Sequence, residues 1–188
     1  MKLIVGLGNP GPEYAETRHN VGYRVVEALH GRWGFDGWKA KFHGWLSEGT
    51  HGGQRVALLR PTTYMNVSGK SVVAAGRFYK CERTDLLVIS DDLDLELGTL
   101  RIRQRGSSGG QRGMEDIIRC VGSQEFARLR IGIGRPARGD AAAFVLERFH
   151  PSERDAAAEV IVRAAEAAEC WLVEGPTAAM NRYNRRAE

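Results

Sequence analysis

Residues 6–11 read GLGNPG and follow the short, mainly apolar run KLIV at 2–5. The glycines match G-x-G-x-x-G, which in dinucleotide-binding folds ends a strand and opens straight into a helix whose N-terminus meets a pyrophosphate. Here Pro10, Gly11 and Pro12 intervene, and helical spacing begins only near Asn20. The acid that such folds carry about 20 residues on, at the end of a second strand, is also missing, because Glu27 falls inside the helical stretch. The context therefore argues against a nucleotide-dependent oxidoreductase. Segment 2–8 reads instead as a buried strand that ends in a loop at its carboxyl end, the edge where open α/β sheets build their sites.

Beyond this loop, Val21, Val25, Val26, Leu29 and Trp33 recur at helical spacing and predict a helix over about 20–32. Segments 42–49 and 54–60 flank His51-Gly52-Gly53 and predict a hairpin. Residues 66–80 read as a helix with Asn66 or Ser68 near its start, and LLVIS at 86–90 as a second buried strand. TLRIRQ at 99–104 alternates apolar and basic residues, a strand with one wet, positive face. A helix follows the glycines at 109–110, another strand lies at 129–134, and a long alanine-rich helix spans 152–175, with Ser152 as its N-cap and Gly175 as its end. Strands and helices alternate without linker or repeat. The expected fold is one α/β domain over residues 1–188, a mixed, twisted central sheet with helices on both faces. The hairpin excludes an entirely parallel sheet.

The chain of 188 residues is long enough for a substantial core. It contains no run approaching the roughly 18 apolar residues of a membrane span, and its N-terminus turns to glycine and proline too early for a secretory h-region. The expectation is a cytoplasmic protein with no membrane partner. Cys81, Cys120 and Cys170 fit no metal-ligand spacing and read as reduced thiols in or near the core. The net charge of +4 conceals an asymmetry, since residues 98–138 hold nine arginines against three acids. Guanidinium groups concentrated in this way suit a polyanion carrying phosphates, although a solvated arginine-rich surface gives the same count. Directly before it, Asp92, Asp94 and Glu96 share a parity that a hard cation could use, but a turn of solvated acids is the preferred reading, and no metal is expected.

His19 lies just before a helix N-terminus, a place that disfavours imidazolium, and a neutral imidazole is what a general base must be. Asp91 should lie at the carboxyl end of the second strand. If the two meet, the carboxylate fixes the imidazole tautomer and stabilises the charge formed when His19 takes a proton from water. By itself, position also permits an ordinary loop histidine.

Four stretches, GLGNPGPEYAETRHNVG, PTTYMNVSGKSV, DDLDLELG and LRIGIGRP, occur in this order. Together they resemble the bacterial-type peptidyl-tRNA hydrolase family across nearly the whole chain. The resemblance implies cleavage of the ester joining a peptide to the 3′ ribose of tRNA, without metal or cofactor, by a monomer. It implies that His19 is the base and Asp91 its orienter, that Asn9 hydrogen-bonds the acylated amino group, and that Asn66 binds the peptide end or polarises the ester carbonyl. Tyr14 and Tyr64 would line the cleft. Asn66 as a helix cap and the tyrosines as packing residues are the structural alternatives.

One departure stands out. The family usually has Gly-Gly-His-Asn-Gly where this chain has Gly109-Gly110-Gln111-Arg112-Gly113. Arg112 carries donors only, so it cannot replace the asparagine's acceptor. At the start of a helix it is suited to grip a phosphate near the tRNA 3′ end. Arg101, Arg103 and Arg130 are expected to contact tRNA phosphates independently of sequence. The rival reading is an RNA-binding module of the same fold with reduced or lost hydrolase activity.

Overall fold

Leu3, Ile4 and Val5 are apolar in succession because the strand they form is covered on both faces. In the computed structural model, which describes residues 1–184, this strand is β1 (Lys2–Gly6). It is followed by α1 (Val21–Trp33), β2 (Lys39–Lys41), β3 (Gly44–His51) and β4 (Gln54–Pro61). Next come α2 (Ser68–Tyr79), β5 (Leu86–Asp92), β6 (Leu100–Arg103), α3 (Arg112–Val121) and β7 (Ala127–Gly132). The chain then forms α4 (Ala141–Val145), α5 (Arg154–Glu174) and α6 (Pro176–Tyr183).

The strands make one mixed sheet in the order β2-β3-β4-β1-β5-β7-β6. β1 lies between β4 and β5 and runs parallel to both, β5 runs parallel to β7, and the outer pairs are antiparallel. Alternation along β1 divides the core. Ile4 joins Val25, Leu29, Ile161 and Ala165 beneath α1 and α5, whereas Leu3 and Val5 join Val72, Met114 and Ile117 beneath α2 and α3. Each fully buried aliphatic side chain contributes about 1.5–3 kcal/mol, and a one-residue slip of β1 would move each of them to the opposite layer and undo its packing there. The expected α/β fold with helices on both faces is thus observed; of the domain expected over 1–188, residues 185–188 lie outside the described residues.

The glycines of GLGNPG serve close packing. A Cβ on Gly22 would lie 2.5 Å from both the Leu7 nitrogen and the Ile89 carbonyl oxygen, and one on Gly6 would collide with the Gly22 carbonyl. α1 therefore rests directly on the ends of β1 and β5. The Tyr23 N–H in its first turn donates to Leu7 O at 3.2 Å, so the chain's own carbonyl occupies a donor that a pyrophosphate would need. Gly11, at φ 112°, makes the turn that leads away.

Four features differ from expectation. β2 joins the sheet through a two-residue turn in which Phe42 and His43 hold φ of 56° and 54° without glycine. α4 and α6 are additional helices, the latter starting at Pro176 in its first turn. Ser152 does not cap α5. A 3-10 turn at Pro151–Glu153 precedes that helix, with His150 and Glu153 forming its capping box. The outer strand β6 is clasped at its edge by Asn184, whose Oδ1 accepts from Ile102 N at 2.6 Å while its Nδ2 donates to Ile102 O at 3.0 Å. The three cysteines are free thiols.

Candidate active site

The carboxyl ends of β1, β4, β5 and β7 meet at one edge of the sheet. From β1 the chain crosses to one face in α1, and from β4 to the other in α2, which opens a crevice between them. A cavity of about 830 Å³ occupies this edge, and Asn9, His19, Tyr64, Asn66, Asp91 and Arg112 all contribute to its wall. α4, which packs against the turn bearing His19, adds Ala141, Ala142 and Val145 to the wall.

His19 Nδ1 lies 2.8 Å from Asp91 Oδ2. Asp91 is the penultimate residue of β5 and only 3% exposed, and the histidine is half-buried. With Nδ1–H donating to the carboxylate, a neutral ring carries its lone pair on Nε2. The distance the sequence left open is therefore hydrogen-bonding contact.

The turn that bears His19 is fixed by both its neighbours. Arg18 is buried; its guanidinium reaches Glu153 through two hydrogen bonds of 3.2 and 2.8 Å and lies over the rings of Phe144 and Phe149. Hydrogen bonding to Arg18 holds the Glu153 carboxyl below the usual glutamate range. A depressed value stabilises the fold fully above the unfolded value, near 4.3, and the contribution is lost as pH falls through the folded one. Glu153→Gln is accordingly expected to lower unfolding stability by roughly 2 kcal/mol at pH 7, short of the ~3–5 kcal/mol of a fully buried pair. Urea denaturation of both proteins should show this gap closing below about pH 4; a gap independent of pH would contradict the ion-pair account.

On the other side, Asn20 Oδ1 accepts from Asn9 N and its Nδ2 donates to Asn9 O, both at 2.9 Å. Asn9 Oδ1 in turn accepts from Met65 N at 2.8 Å. The acceptor end of Asn9 is thereby occupied, and its NH₂ end is the one left for a ligand. Asn66 is exposed and caps no helix: the N-cap residues of α2 and of the turn before it, Val67 and Tyr64, make no side-chain cap bond, and the Gly69 N–H in the first turn of α2 donates to Asp116 Oδ2 at 2.8 Å. Tyr64 stands 62% exposed at the rim. Tyr14, expected in the cleft, lies outside the cavity lining because the 3-10 turn at Pro12–Tyr14 leads it away, and its carbonyl closes the turn onto Thr17.

The basic residues form a single face. Arg101 pairs with Arg130 and Arg103 with Arg128 across the β6–β7 ladder, so all four side chains emerge on the same side. Arg130 lines the cavity and is ion-paired to Asp92 at 2.7 Å; Arg101 and Arg103 extend the face beyond the cavity. Arg128 is 1% exposed and donates to the carbonyls of Gly106, Ser107, Gln124 and Phe126, anchoring the loop before α3. Burial pushes its guanidinium down to about 10, with Arg130 adding to the effect, so it remains a cation at neutral pH. The acidic turn is solvated at Asp94 and Glu96, as expected, but not at Asp92. Asp92 is buried against Arg130, its carboxyl raised by that burial, and Asp94 is ion-paired to Arg135.

Three participants escape a reading of the sequence: Asn20, Met65 and Gln111. The adjacency of Asn20 to His19 is the available signal for the first. Gln111 stands out in the sequence only as a missing histidine, yet it N-caps α3 and donates to Asp91.

Residues 3–188 match a family described as peptidyl-tRNA hydrolase. The chain is 49% identical to a peptidyl-tRNA hydrolase of Rhodopirellula baltica over 185 residues, covering 98% of this chain and 97% of the relative. It is 52% identical to that of Chloroflexus aggregans over 186 residues, covering 98% and 99%. A crystal structure of peptidyl-tRNA hydrolase from Acinetobacter baumannii superposes with a TM-score of 0.91 at 40% identity, covering 98% of this chain and 94% of that one.

Proposed function

The chain belongs to the peptidyl-tRNA hydrolase family, and from that premise we propose that it hydrolyses the ester between a peptide and the 3′ ribose of tRNA with His19 as general base and Asp91 as its orienter. The observation that carries this reading is the 2.8 Å contact between His19 Nδ1 and Asp91 Oδ2 at the wall of the cavity. Nε2 takes a proton from water as the water oxygen attacks the ester carbonyl. Asp91 stabilises the imidazolium that forms. The tetrahedral intermediate then expels the ribose oxygen, which recovers the proton from His19, leaving free tRNA and a carboxylic acid that releases its proton to solvent. A donor aimed at the developing oxyanion is worth about 3 kcal/mol, and the exposed amide of Asn66 in the cavity wall is assigned either to that donor or to binding the peptide end.

Asn9 provides a reason for preferring acylated substrates. With Oδ1 held by Met65 N–H, its free NH₂ can donate to the carbonyl oxygen of the acyl group. An unacylated aminoacyl ester offers only a protonated amine there, and two donors facing each other repel. The decisive assay incubates the protein with an N-acylated aminoacyl-tRNA and follows released tRNA. Binding without release would mark an RNA-binding module of the same fold.

The arginine face suits the tRNA backbone. Arg101→Ala and Arg112→Asn are each expected to weaken tRNA binding and to flatten its dependence on log salt by about one phosphate's worth, with turnover at saturation retained. A full salt slope in either variant would remove that residue from the phosphate-binding set.

A further inference from the structure

Among the described residues, Asp91 divides its two carboxylate oxygens between two side-chain partners. Oδ2 takes His19 Nδ1–H at 2.8 Å, and Oδ1 accepts from Gln111 Nε2 at 3.1 Å. The amide that supplies the second bond is oriented from its other end, where Gln111 Oε1 accepts the Met114 N–H of α3 at 2.6 Å. Its nitrogen also touches Met65 Sδ at 3.2 Å. Because the helix terminus requires an oxygen, the end that faces Asp91 must be the donor. We propose that Gln111 is a positioning residue for the hydrolysis: acting from α3, it fixes the carboxylate of Asp91 so that Oδ2 meets the imidazole.

This rests on the reading of His19 and Asp91 as base and orienter. A carboxylate held by one donor alone turns about its own bonds, and a small displacement of the imidazole costs rate steeply. Gln111 is neutral at every working pH, so it secures Asp91 without offsetting the charge that stabilises the imidazolium. The other charged groups that line the same cavity are Asp92 with Arg130 from β5 and β7, Asp94 with Arg135 beyond the end of β5, Arg128 beneath the loop before α3, Arg112 at the head of α3 and Asp140 ahead of α4. The Arg18–Glu153 pair stands behind the His19 turn.

Two substitutions keep a capping oxygen for α3 while changing what Asp91 receives. Serine is too short to reach the carboxylate, so Gln111→Ser is expected to lower kcat about tenfold with tRNA affinity and thermal midpoint close to the parent. Gln111→Glu sets a second carboxylate against Asp91. The added negative charge favours imidazolium, so the ascending limb of the kcat–pH profile should move up by about one unit. A merely structural role would lower the thermal midpoint of Gln111→Ser and leave its kcat at the parental value. Parental kcat in Gln111→Ser, or an unmoved limb in Gln111→Glu, overturns the assignment. Failure of the underlying reading looks different: His19→Ala would then retain the parental rate and limb.

Discussion

His19→Ala is expected to reduce release of tRNA from an N-acylated aminoacyl-tRNA by about 10³-fold, within the range that removal of a general base produces, while tRNA affinity stays close to the parent. The imidazole is hydrogen-bonded to Asp91, and of Arg101, Arg103 and Arg130 only Arg130 lines the same cavity, the other two lying beyond it on β6, so part of the phosphate-binding face stands apart from the chemistry. The cavity of about 830 Å³ has room for a small free base. Added imidazole should therefore restore part of the rate, with a pH dependence that follows the unprotonated form of the additive. Release within tenfold of the parent would exclude His19 as the base.

Asp91→Asn is expected to cost about 10³–10⁴-fold in kcat although the side chain is nearly isosteric. A neutral amide can turn its NH₂ toward Nδ1, which forces the ring proton onto Nε2 and removes the lone pair that water must meet. It also withdraws the charge that stabilises the imidazolium. Any residual ascending limb should consequently move to lower pH, because the ring gives up its proton more readily without an adjacent carboxylate. The introduced amide would still satisfy Gln111 by turning its oxygen to Nε2 of that side chain, so the fold should persist, and a circular dichroism melt is the control. A kcat within fivefold of the parent would show that orientation of His19 depends on the Arg18 and Asn20 contacts alone.

The two substitutions together bear on how the site is built. His19 and Asp91 are 72 residues apart, and each is secured by neighbours from different elements: Asn20 through the backbone of Asn9, Arg18 through Glu153, and Gln111 through the cap of α3. Secondary structure alone would leave both side chains free to turn.

By itself, the sequence determined the parts governed by local physics. Unbroken apolar runs at 3–5 and 86–89 define strands buried on both faces, and the 3.6-residue recurrence from Val21 to Trp33 defines a helix. Gly52-Gly53 closes a hairpin through two positive φ values, and proline after GLGN argues against a pyrophosphate loop. The strand-end placement of Asn9 and Asp91 followed from the same periodicities. Elements without such a signal were missed: the β2 turn bends on Phe42-His43, α4 is a short helix of little more than one turn, and α6 begins on a proline that also reads as the end of α5.

Only the tertiary structure decided which polar ends face one another. Whether Gln111 is a substitute for histidine or an anchor for Asp91, whether Asn9 offers its oxygen or its nitrogen, and whether Asp92 is solvated or buried against Arg130 all depend on contacts between strands that sequence distance does not encode. Periodicity reports which side of an element is dry. Hydrogen-bond direction is set by whichever donor or acceptor the fold brings within about 3 Å.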